Sequence, residues 1–433
     1  MKKISGWGRF PIVDAEVVPF RDHRMVLDKL DEAMPLAIPR GNGRSYGDSA
    51  LGNCVYSSLS LNRFIAFDEN TGVLRCQSGV LLSAILDAFL PRGWFPGVTP
   101  GTKYVTVGGA IASDVHGKNH HLAGCFSETV VSLMLMLPSG ELKRCSKTEN
   151  SDLFRATCGG MGLTGMILET EIQLKAVNSK NIEQTTIKTA NLAETFSAFE
   201  ELADQVYSVA WIDCLADKKS IGRSLIMAGD FKSDGDLRYT APHKHRVPFD
   251  FPSFALNRYS VKAFNTLYYA RGNDQVRQEI SVDSFFYPLD ALSDWNRIYG
   301  KNGFVQYQFI LPKEQSFEGL NEILALIAAR GMASFLAVLK LYGATNANFL
   351  SFPMEGYSLA LDFKVQKGLF SFLDELDALV LKYRGRIYLA KDARMSREVF
   401  EQGYPGIERF RALREEFELN QFIRSYQSER LGL

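Results

Sequence analysis

Three glycine-dense segments within the first 170 residues constrain the fold of this chain more than any other feature. They occupy residues 40–48, 100–109 and 159–165, and each lies next to a predicted strand. Glycine adopts positive φ without strain and lets backbone N–H groups approach an anion closely. One such loop alone predicts only a turn. Three together favour a site for a dinucleotide pyrophosphate and a planar ring.

The spacing of these glycines argues against a nicotinamide-binding Rossmann domain. Gly41, Gly43 and Gly47 form Gly-x-Gly-x-x-x-Gly, in which the third glycine comes one position late for the fingerprint. No regular β-α-β repeat follows, and the Gly-Lys-Ser/Thr of a P-loop is absent from the sequence. These observations disfavour both common nucleotide-binding folds.

At 433 residues the chain is too long for one compact core, so we expect two domains. Lys+Arg and Asp+Glu both number 49, so no net field attracts nucleic acid. No apolar run reaches the roughly 20 residues of a spanning helix, and no signal peptide is recognisable. Six scattered cysteines without a Cys-x-x-Cys pair indicate the reduced thiols of a cytoplasmic protein.

After about residue 179 glycine thins out, and predicted strands and helices alternate. This pattern is typical of an α+β fold with an antiparallel sheet covered by helices. Among local elements we predict helices at 22–34 and 192–206, and a hairpin formed by 130–137 and 141–144. The polar residues 217–250 are predicted to be irregular.

The glycine loops and several later motifs together resemble the vanillyl-alcohol-oxidase-type (PCMH-type) FAD oxidoreductases. Within this family the likeness is to the branch that oxidises polyprenyl-phosphoryl-ribose. It extends over essentially the whole chain and is weakest at 217–250. The motifs that carry it lie at residues 40–48, 100–121, 159–165, 295–297, 304–309, 340–343, 350–353 and 388–392.

The resemblance implies a two-domain PCMH-type fold. An FAD-binding domain at residues 1–178, completed by 386–433, would hold an inserted antiparallel-sheet substrate domain at 179–385. Many relatives attach the flavin through a histidine where this chain has Tyr46. Because a phenol is not a usual flavin linkage, we expect non-covalent FAD. The family's FAD contacts correspond to Arg40, Gly41, Asn42, Gly43, Arg44, Ser45, Tyr46, Gly47, Gly101, Thr106, Val107, Gly108, Gly109, Ser113, His116, Ile167 and Tyr388.

Oxidation of a secondary alcohol by a flavin needs hydride transfer and removal of the hydroxyl proton. By resemblance, Lys391, Gln308 and His116 are the catalytic candidates. Free lysine titrates near ~10.4, so Lys391 is a useful base only if burial or a neighbouring cation lowers its pKa. Otherwise its ammonium stabilises the alkoxide, and both roles stay open. The substrate is expected to contact Lys118, Lys340, Gln306, Trp211, Tyr342, Ser358 and Ala360.

His116, His120 and His121 raise the question of a metal site. Gly117 and Asn119 disfavour the helix that would align these histidines, so no metal is expected. The sequence also departs from the resembled branch. Ser358 and Ala360 stand where that branch has an asparagine and a cysteine, and Val209 and residues 286–287 differ as well. Flavin chemistry should survive these changes, whereas inhibitors that trap the cysteine should not attach.

The leading hypothesis from the resemblance is FAD-dependent oxidation of the 2-hydroxyl of a polyprenyl-phosphoryl-β-D-ribose to the 2-keto sugar. This is the first half of an epimerisation to the arabinose form in cell-envelope polysaccharide biosynthesis. A short-chain NAD(P)-dependent keto-reductase would act on the product, and quinone or oxygen would reoxidise the flavin. The aromatic-rich residues 249–269 suggest an exit for the lipid and a peripheral contact at the inner face of the membrane.

Two alternatives stay open. The first is an oxidase of a soluble polyol or aldonolactone on the same fold, which needs no lipid exit. The second is a catalytically silent FAD- or nucleotide-binding module. The presence of Lys391 and Gln308 argues against the silent module.

Overall fold

The computed structural model describes residues 1–21, 36–274 and 276–433, so the helix predicted at 22–34 lies outside the described residues. The strands, in chain order, are β1 (Lys2–Ser5), β2 (Ile12–Pro19), β3 (Ala37–Arg40), β4 (Cys54–Ser57), β5 (Phe64–Phe67), β6 (Val73–Gln77), β7 (Trp94–Pro96), β8 (Val130–Met136), β9 (Leu142–Cys145), β10 (Met166–Ala176), β11 (Asn181–Thr189), β12 (Tyr207–Ile212), β13 (Ser224–Phe231), β14 (His245–Arg246), β15 (Val276–Ser281), β16 (Leu292–Ser293), β17 (Phe304–Pro312), β18 (Ala337–Tyr342), β19 (Gly356–Lys364) and β20 (Arg386–Ile387).

The α-helices, in the same order, are α1 (Leu82–Phe89), α2 (Val107–Ala112), α3 (His120–Ala123), α4 (Ser151–Thr157), α5 (Leu192–Glu201), α6 (Arg258–Arg271), α7 (Val282–Phe286), α8 (Lys313–Arg330), α9 (Leu369–Lys382), α10 (Arg397–Gly403), α11 (Ile407–Glu416) and α12 (Tyr426–Leu431). In the described part of the chain, no helix combines the length and the apolar character needed to cross a membrane.

The glycine-rich first part of the chain builds two sheets. One has the order β1-β2-β4-β3, and the other runs β5-β6-β10-β8-β9 with β7 beside β10. The predicted hairpin is confirmed, because β8 pairs antiparallel with β9. Helix α1 buries Leu82, Ile85, Leu86 and Phe89, a spacing that places all four side chains on one helical face. This apolar face anchors the segment that leads into the second glycine loop.

The later part of the chain forms an eight-stranded sheet with the order β15-β11-β13-β12-β18-β19-β17-β20. Helices α5, α8 and α9 pack against it, so the predicted antiparallel sheet covered by helices is confirmed. The register sets Gln308 opposite Ala360 and Lys340 opposite Ser358. Because side chains alternate along a strand, these predicted site residues share one face of the sheet.

Two local predictions are wrong in part. Residues 217–250 are not irregular throughout, because β13 lies between β11 and β12 in the sheet and buries Leu225, Ile226 and Ala228. The polar residues on both sides of this apolar run dominate the composition of the segment and hide the strand. The helix predicted at 192–206 ends at Glu201, and the residues after it connect to β12.

The C-terminal segment returns from the eight-stranded sheet to the first glycine loop. The backbone N–H of Tyr46 donates to the carbonyl of Ala390 at 3.0 Å. Arg430 bridges the buried carboxylates of Asp48 and Asp392, each at 2.8 Å. These contacts hold the loop that carries Lys391 against the glycine-rich part. The domain limits at 178 and 386 stay a prediction.

Candidate active site

A cavity of about 480 Å³ is lined both by the glycine loops and by the eight-stranded sheet. The structure thus brings the predicted cofactor and substrate residues together. From the first set it is lined by Arg40, Gly41, Asn42, Gly43, Arg44, Ser45, Tyr46, Gly101, Thr106, Gly108, Gly109, Ser113, His116, Ile167 and Tyr388. From the second set it is lined by Lys118, Trp211, Gln306, Gln308, Lys340, Tyr342, Ser358, Ala360 and Lys391.

Gly47 and Val107, which we predicted to contact the cofactor, do not line this cavity. A Cβ atom at Gly47 would lie only 1.5 Å from the carbonyl oxygen of Asp392. This glycine therefore permits the close approach of the C-terminal segment. Val107 begins α2 and is fully buried in the core. Both residues support the cavity wall from behind.

The geometry of the glycine loops fits a flat, polar dinucleotide. A Cβ at Gly41 would lie 2.3 Å from Thr106 Oγ1, so the first two loops are in direct contact. No side chain projects into the cavity at Gly41. At Gly101 a Cβ would meet nothing within 4 Å, because this backbone faces open space. Ser78 Oγ also lies at the cavity and is buried without a hydrogen-bond partner in the described ranges. Buried hydroxyl groups are normally hydrogen-bonded, so Ser78 is a ready contact for a polar ligand.

Three polar side chains of the first loop are engaged within the protein. Arg40 donates to the carbonyls of Ser5 at 2.7 Å and Ala50 at 3.0 Å. Asn42 donates to the carbonyl of Tyr104 at 2.7 Å, and the Arg44 guanidinium lies 4.0 Å from the ring centroid of Trp7. The side chains thus hold the loop in shape, which leaves its backbone to face a ligand.

Tyr46 lies between the first loop and Lys391. Its ring is buried in edge-to-face contact with Phe304, and Lys391 Nζ lies 4.1 Å from the ring centroid. Burial raises the pKa of Tyr46 well above its ordinary value. The phenol is therefore neutral at physiological pH and is a poor nucleophile.

Gln308 and His116 form the centre of a polar cluster. The Gln308 amide nitrogen lies 3.0 Å from His116 Nε2, 3.4 Å from Tyr342 OH and 3.3 Å from Ser358 Oγ. Burial, together with the charges of Lys340 and of its other neighbours, lowers the pKa of His116 well below its ordinary value, so the ring is neutral. With Gln308 donating to Nε2, the proton of His116 resides on Nδ1.

His116 Nδ1 is buried and has no hydrogen-bond partner in the described part of the chain. It therefore offers one oriented donor to a ligand. The other two histidines of this region have local roles. His120 Nδ1 accepts from the Gly343 N–H at 3.2 Å and its ring stacks on Tyr342, whereas His121 contacts the Gln205 carbonyl at 2.8 Å. The contacts of His120 position Tyr342, and the contact of His121 holds its segment against the residues that follow helix α5.

Three lysines face the cavity. Burial lowers the pKa of Lys340 to about 8 and the pKa of Lys118 to about 7, the latter with the help of the Lys340 charge. Burial also lowers the pKa of Lys391 to about 7 against the opposing effect of Asp362, and Lys340 adds to the lowering. Within the described ranges no carboxylate forms an ion pair with any of the three. Lys340, with a pKa of about 8, is mostly charged at pH 7 and gives the cavity a positive charge that suits an anionic substrate group.

Asp362 was missed in the sequence. It is fully buried, and its carboxylate accepts hydrogen bonds from Gln306 at 2.6 Å and from Tyr299 OH at 3.3 Å. Burial raises its pKa to about 7, although Gln306, Lys391 and Tyr299 act in the opposite direction. The signal was available, because Asp362 lies two residues after Ala360 on the same strand and therefore on the same face.

The sequence of this chain is similar to those of known FAD-binding proteins. Residues 31–146 match the family model of an FAD binding domain. Decaprenylphosphoryl-beta-D-ribose oxidase of Mycolicibacterium smegmatis is 36% identical over 100% of this chain and 98% of its own length. An uncharacterized protein of Streptomyces coelicolor, from the mprA 5' region, is 29% identical over 82% of this chain and 100% of its own.

A more distant relative shares only part of the chain. L-gulonolactone oxidase of Mus musculus is 29% identical over 31% of this chain and 30% of its own length. The full-length match and the FAD binding domain both indicate an FAD-dependent oxidoreductase. This chain belongs to the family of FAD-dependent oxidoreductases that includes decaprenylphosphoryl-beta-D-ribose oxidase.

Proposed function

We propose that this enzyme oxidises the 2-hydroxyl of a polyprenyl-phosphoryl-β-D-ribose to the 2-keto sugar with non-covalently bound FAD. The observation that carries the proposal is the composition of the cavity. Lys391, Gln308 and His116 face the same space as Lys340 and Lys118, whose charges have no carboxylate partner within the described ranges. The cavity thus combines groups for alcohol oxidation with a site for phosphate.

The glycine loops that line the cavity, with Thr106 and Ser78 beside them, would hold FAD, which would supply the acceptor for the hydride from C2 of the sugar. The oxidation also requires that the proton of the sugar hydroxyl is removed or that the resulting alkoxide is stabilised. A lysine with a pKa of about 7 is partly neutral at physiological pH, so Lys391 can take this proton, or its ammonium can stabilise the alkoxide. The Nδ1–H of His116, whose ring Gln308 orients through Nε2, is a donor for a sugar oxygen. Lys340 and Lys118 bind the phosphate.

An aromatic row connects the cavity with the surface and supports a lipid exit. Trp211 and Tyr268 both line the cavity, with ring centroids 4.8 Å apart. Tyr268 in turn stacks on Phe264 of helix α6 at 5.8 Å. Phe264 is 45% exposed, Tyr259 on the same helix is 84% exposed, and Phe254 in the segment before the helix is 76% exposed. An apolar path of this kind suits a prenyl chain that leaves the cavity toward a lipid phase.

We further propose that this surface makes peripheral contact with the membrane at its cytoplasmic face. Co-sedimentation with liposomes tests this directly. Native protein is expected to pellet with vesicles, and the double variant Phe254→Ser, Tyr259→Ser should pellet less. Native protein that stays in the supernatant with both neutral and anionic vesicles contradicts the proposal.

The 2-keto product requires a second enzyme. We propose a short-chain NAD(P)-dependent keto-reductase that delivers a hydride from NAD(P)H to the opposite face of C2 and yields the arabinose form. Quinone or oxygen reoxidises the flavin. A coupled assay should consume NAD(P)H only when the oxidase, its substrate and the reductase are all present. Consumption without the oxidase would contradict this sequence of reactions.

We place the FAD-binding part at residues 1–178 and 386–433 and the substrate part at 179–385.

The decisive test of function begins with the purified protein. It should show a flavin spectrum, release FAD on acid precipitation, and lose its flavin colour when a prenyl-phosphoryl-ribose is added without an acceptor. Protein that is colourless and cannot be reconstituted with FAD overturns the proposal. Bleaching by an aldonolactone or polyol, but not by the lipid-linked sugar, would favour the soluble-substrate alternative.

A further inference from the structure

The three lysines of the cavity differ in what their ammonium groups contact. Lys118 Nζ donates to the Phe285 carbonyl and also lies 4.6 Å from the centroid of the Phe285 ring. In the described part of the chain, Nζ of Lys340 and Nζ of Lys391 have neither a hydrogen bond nor an ion pair. Lys391 Nζ instead lies 4.1 Å from the centroid of the Tyr46 ring. For Lys391, this ring takes the place of a hydrogen-bond acceptor.

The backbone brings Tyr46 and Lys391 together. The N–H of Tyr46 donates at 3.0 Å to the carbonyl of Ala390, the residue before Lys391. Gly47 admits the carbonyl of Asp392, the residue after Lys391, because a Cβ at this glycine would overlap it. The first glycine loop and the C-terminal segment therefore run side by side here. The contact between ring and ammonium is set by this pairing of two backbones that are distant in the chain.

The Tyr46 ring is also held by its own packing. It is 8% exposed and meets the ring of Phe304 edge to face, with the centroids 5.4 Å apart. Phe304 in turn stacks on Tyr299 at 4.1 Å. This packing fixes the orientation of the Tyr46 ring beneath the lysine.

An ammonium group over the face of an aromatic ring is attracted by the negative charge of that face, and the attraction is strongest where water is excluded. Burial raises the pKa of Tyr46 well above its ordinary value, so the phenol is neutral and the ring face supplies the attraction. A neutral amine gains nothing comparable. The contact therefore favours the charged form of Lys391.

The other charged or titratable groups near this pair are Lys340, Asp362, His116, Arg44 and Asp392. His116 is neutral, Asp392 is paired with Arg430, and Arg44 stacks on Trp7. In the described ranges, none of these groups forms a hydrogen bond or an ion pair with Lys391 Nζ. A substitution at Tyr46 leaves all of them in place.

We propose that the Tyr46 ring is a cation–π platform that positions the Lys391 ammonium at the cavity and stabilises its charged form. Tyr46 acts through Lys391 and is a positioning residue. The contact itself is independent of the substrate, and only its effect on turnover rests on the proposed function. The alternative is a packing role, in which the Tyr46 ring merely fills space against Phe304.

A double-mutant cycle separates the two roles, measured by urea unfolding at a fixed excess of FAD. Tyr46→Leu removes the ring face, and Tyr46→Phe keeps the face and removes only the hydroxyl. Each is made in the native chain and in Lys391→Met. At about pH 5.5, Tyr46→Leu should lower the folding equilibrium constant roughly five- to tenfold more in the native chain than in Lys391→Met. Tyr46→Phe should show no such excess.

The pH dependence of this excess has a defined sign. The pKa of Lys391 is about 7 in the folded protein, so the contact is present below this value and is lost as pH rises through it. At about pH 9 the excess should therefore vanish, whereas a packing loss would be the same in both backgrounds at either pH. An excess that is absent at pH 5.5, or equally large at pH 9, overturns the proposal.

Phe199→Leu is the matched control. Phe199 is a fully buried ring of α5 that contacts Tyr357 at 5.7 Å. Tyr357 alternates with Ser358 along β19, so Phe199 packs on the face of the sheet opposite the cavity. Its cycle with Lys391→Met should be additive at both pH values.

A fluorinated series keeps the proposal testable if Tyr46→Leu does not fold. Phenylalanine analogues with zero to three ring fluorines at position 46 keep the shape of the ring and progressively weaken the negative charge of its face. The urea midpoint at pH 5.5 should fall with each added fluorine in the native chain and much less in Lys391→Met. Equal midpoints across the series, or the same decline in both backgrounds, overturn the proposal.

The last measurement rests on the proposed oxidation of a prenyl-phosphoryl-ribose and follows flavin reduction against pH by stopped flow. The limb that reports Lys391 should move about 1 unit to lower pH in Tyr46→Leu and should stay in place in Tyr46→Phe. A limb that does not move in Tyr46→Leu overturns the positioning role. If no sugar reduces the flavin of the native enzyme, the proposed function fails, while the unfolding results still decide whether Tyr46 stabilises the Lys391 ammonium.

Discussion

Replacement of Lys340 by methionine is expected to stabilise the protein and to weaken its substrate binding. Lys340 faces the cavity without a carboxylate partner in the described ranges, and burial lowers its pKa from 10.5 to about 8. Because the pKa is lower in the folded than in the unfolded chain, the charge destabilises the folded state increasingly as pH falls from 10.5 to about 8. The difference between 10.5 and about 8, at about 1.36 kcal/mol per pKa unit, gives roughly 3 kcal/mol at pH 7.

The gain should be smaller than this upper value, because the side chain partly faces the open cavity. We expect about 1–2 kcal/mol after allowance for solvent screening. Urea unfolding at a fixed FAD concentration measures it. The gain should be largest near pH 7 and should shrink toward pH 10, where lysine is increasingly neutral in both states. Lys219→Met, at an exposed lysine, is the control and should change stability by less than about 0.5 kcal/mol.

The same variant should lose affinity for the phosphorylated sugar. A charged hydrogen bond contributes about 1.5–3 kcal/mol, which corresponds to a roughly 10- to 100-fold rise in KM for a prenyl-phosphoryl-ribose. Flavin reduction at saturating substrate should change much less. A Lys340→Met protein that is less stable at pH 7, or that binds the substrate as tightly as the native enzyme, refutes the reasoning.

Three further substitutions probe other parts of the molecule. Ala360→Cys places a thiol in the cavity, so a thiol-trapping inhibitor should add its mass to this variant and not to the native chain. An adduct on the native chain in intact-mass analysis would contradict this prediction. Arg430→Gln leaves the buried carboxylates of Asp48 and Asp392 unpaired, which should lower the free energy of unfolding by about 3–5 kcal/mol; an unshifted urea midpoint argues otherwise. Gly47→Ala forces a Cβ into contact with the Asp392 backbone and should reduce FAD retention on gel filtration, and full retention would be evidence against this account.

The sequence predicted the fold class and most of the cavity because the glycine loops and the motifs around Gln308 and Lys391 are local patterns. What it missed depends on contacts between distant segments. Asp362 became significant only when the register of β17 and β19 set it beside Gln306. Gly47 seemed to belong with its neighbouring glycines, yet its role is to admit the backbone of Asp392, far away in the chain.

The error at β13 has a different cause. Its apolar run is short, and average composition over residues 217–250 gave more weight to the charged residues around it than to the run itself. A test for alternation over windows of strand length would have found this element. The pKa of Lys391 could not be read from sequence at all, because it depends on burial and on two charges from other strands.

The bridge from Arg430 to Asp48 also bears on how the enzyme is made. These two residues are separated by 382 positions in the chain. At about 5–20 residues per second, a ribosome releases Arg430 roughly 20–75 s after Asp48. Throughout that interval the first glycine loop lacks the segment that will close it. We therefore expect the newborn chain to capture its flavin only near the end of translation, and to depend until then on chaperones rather than on its cofactor.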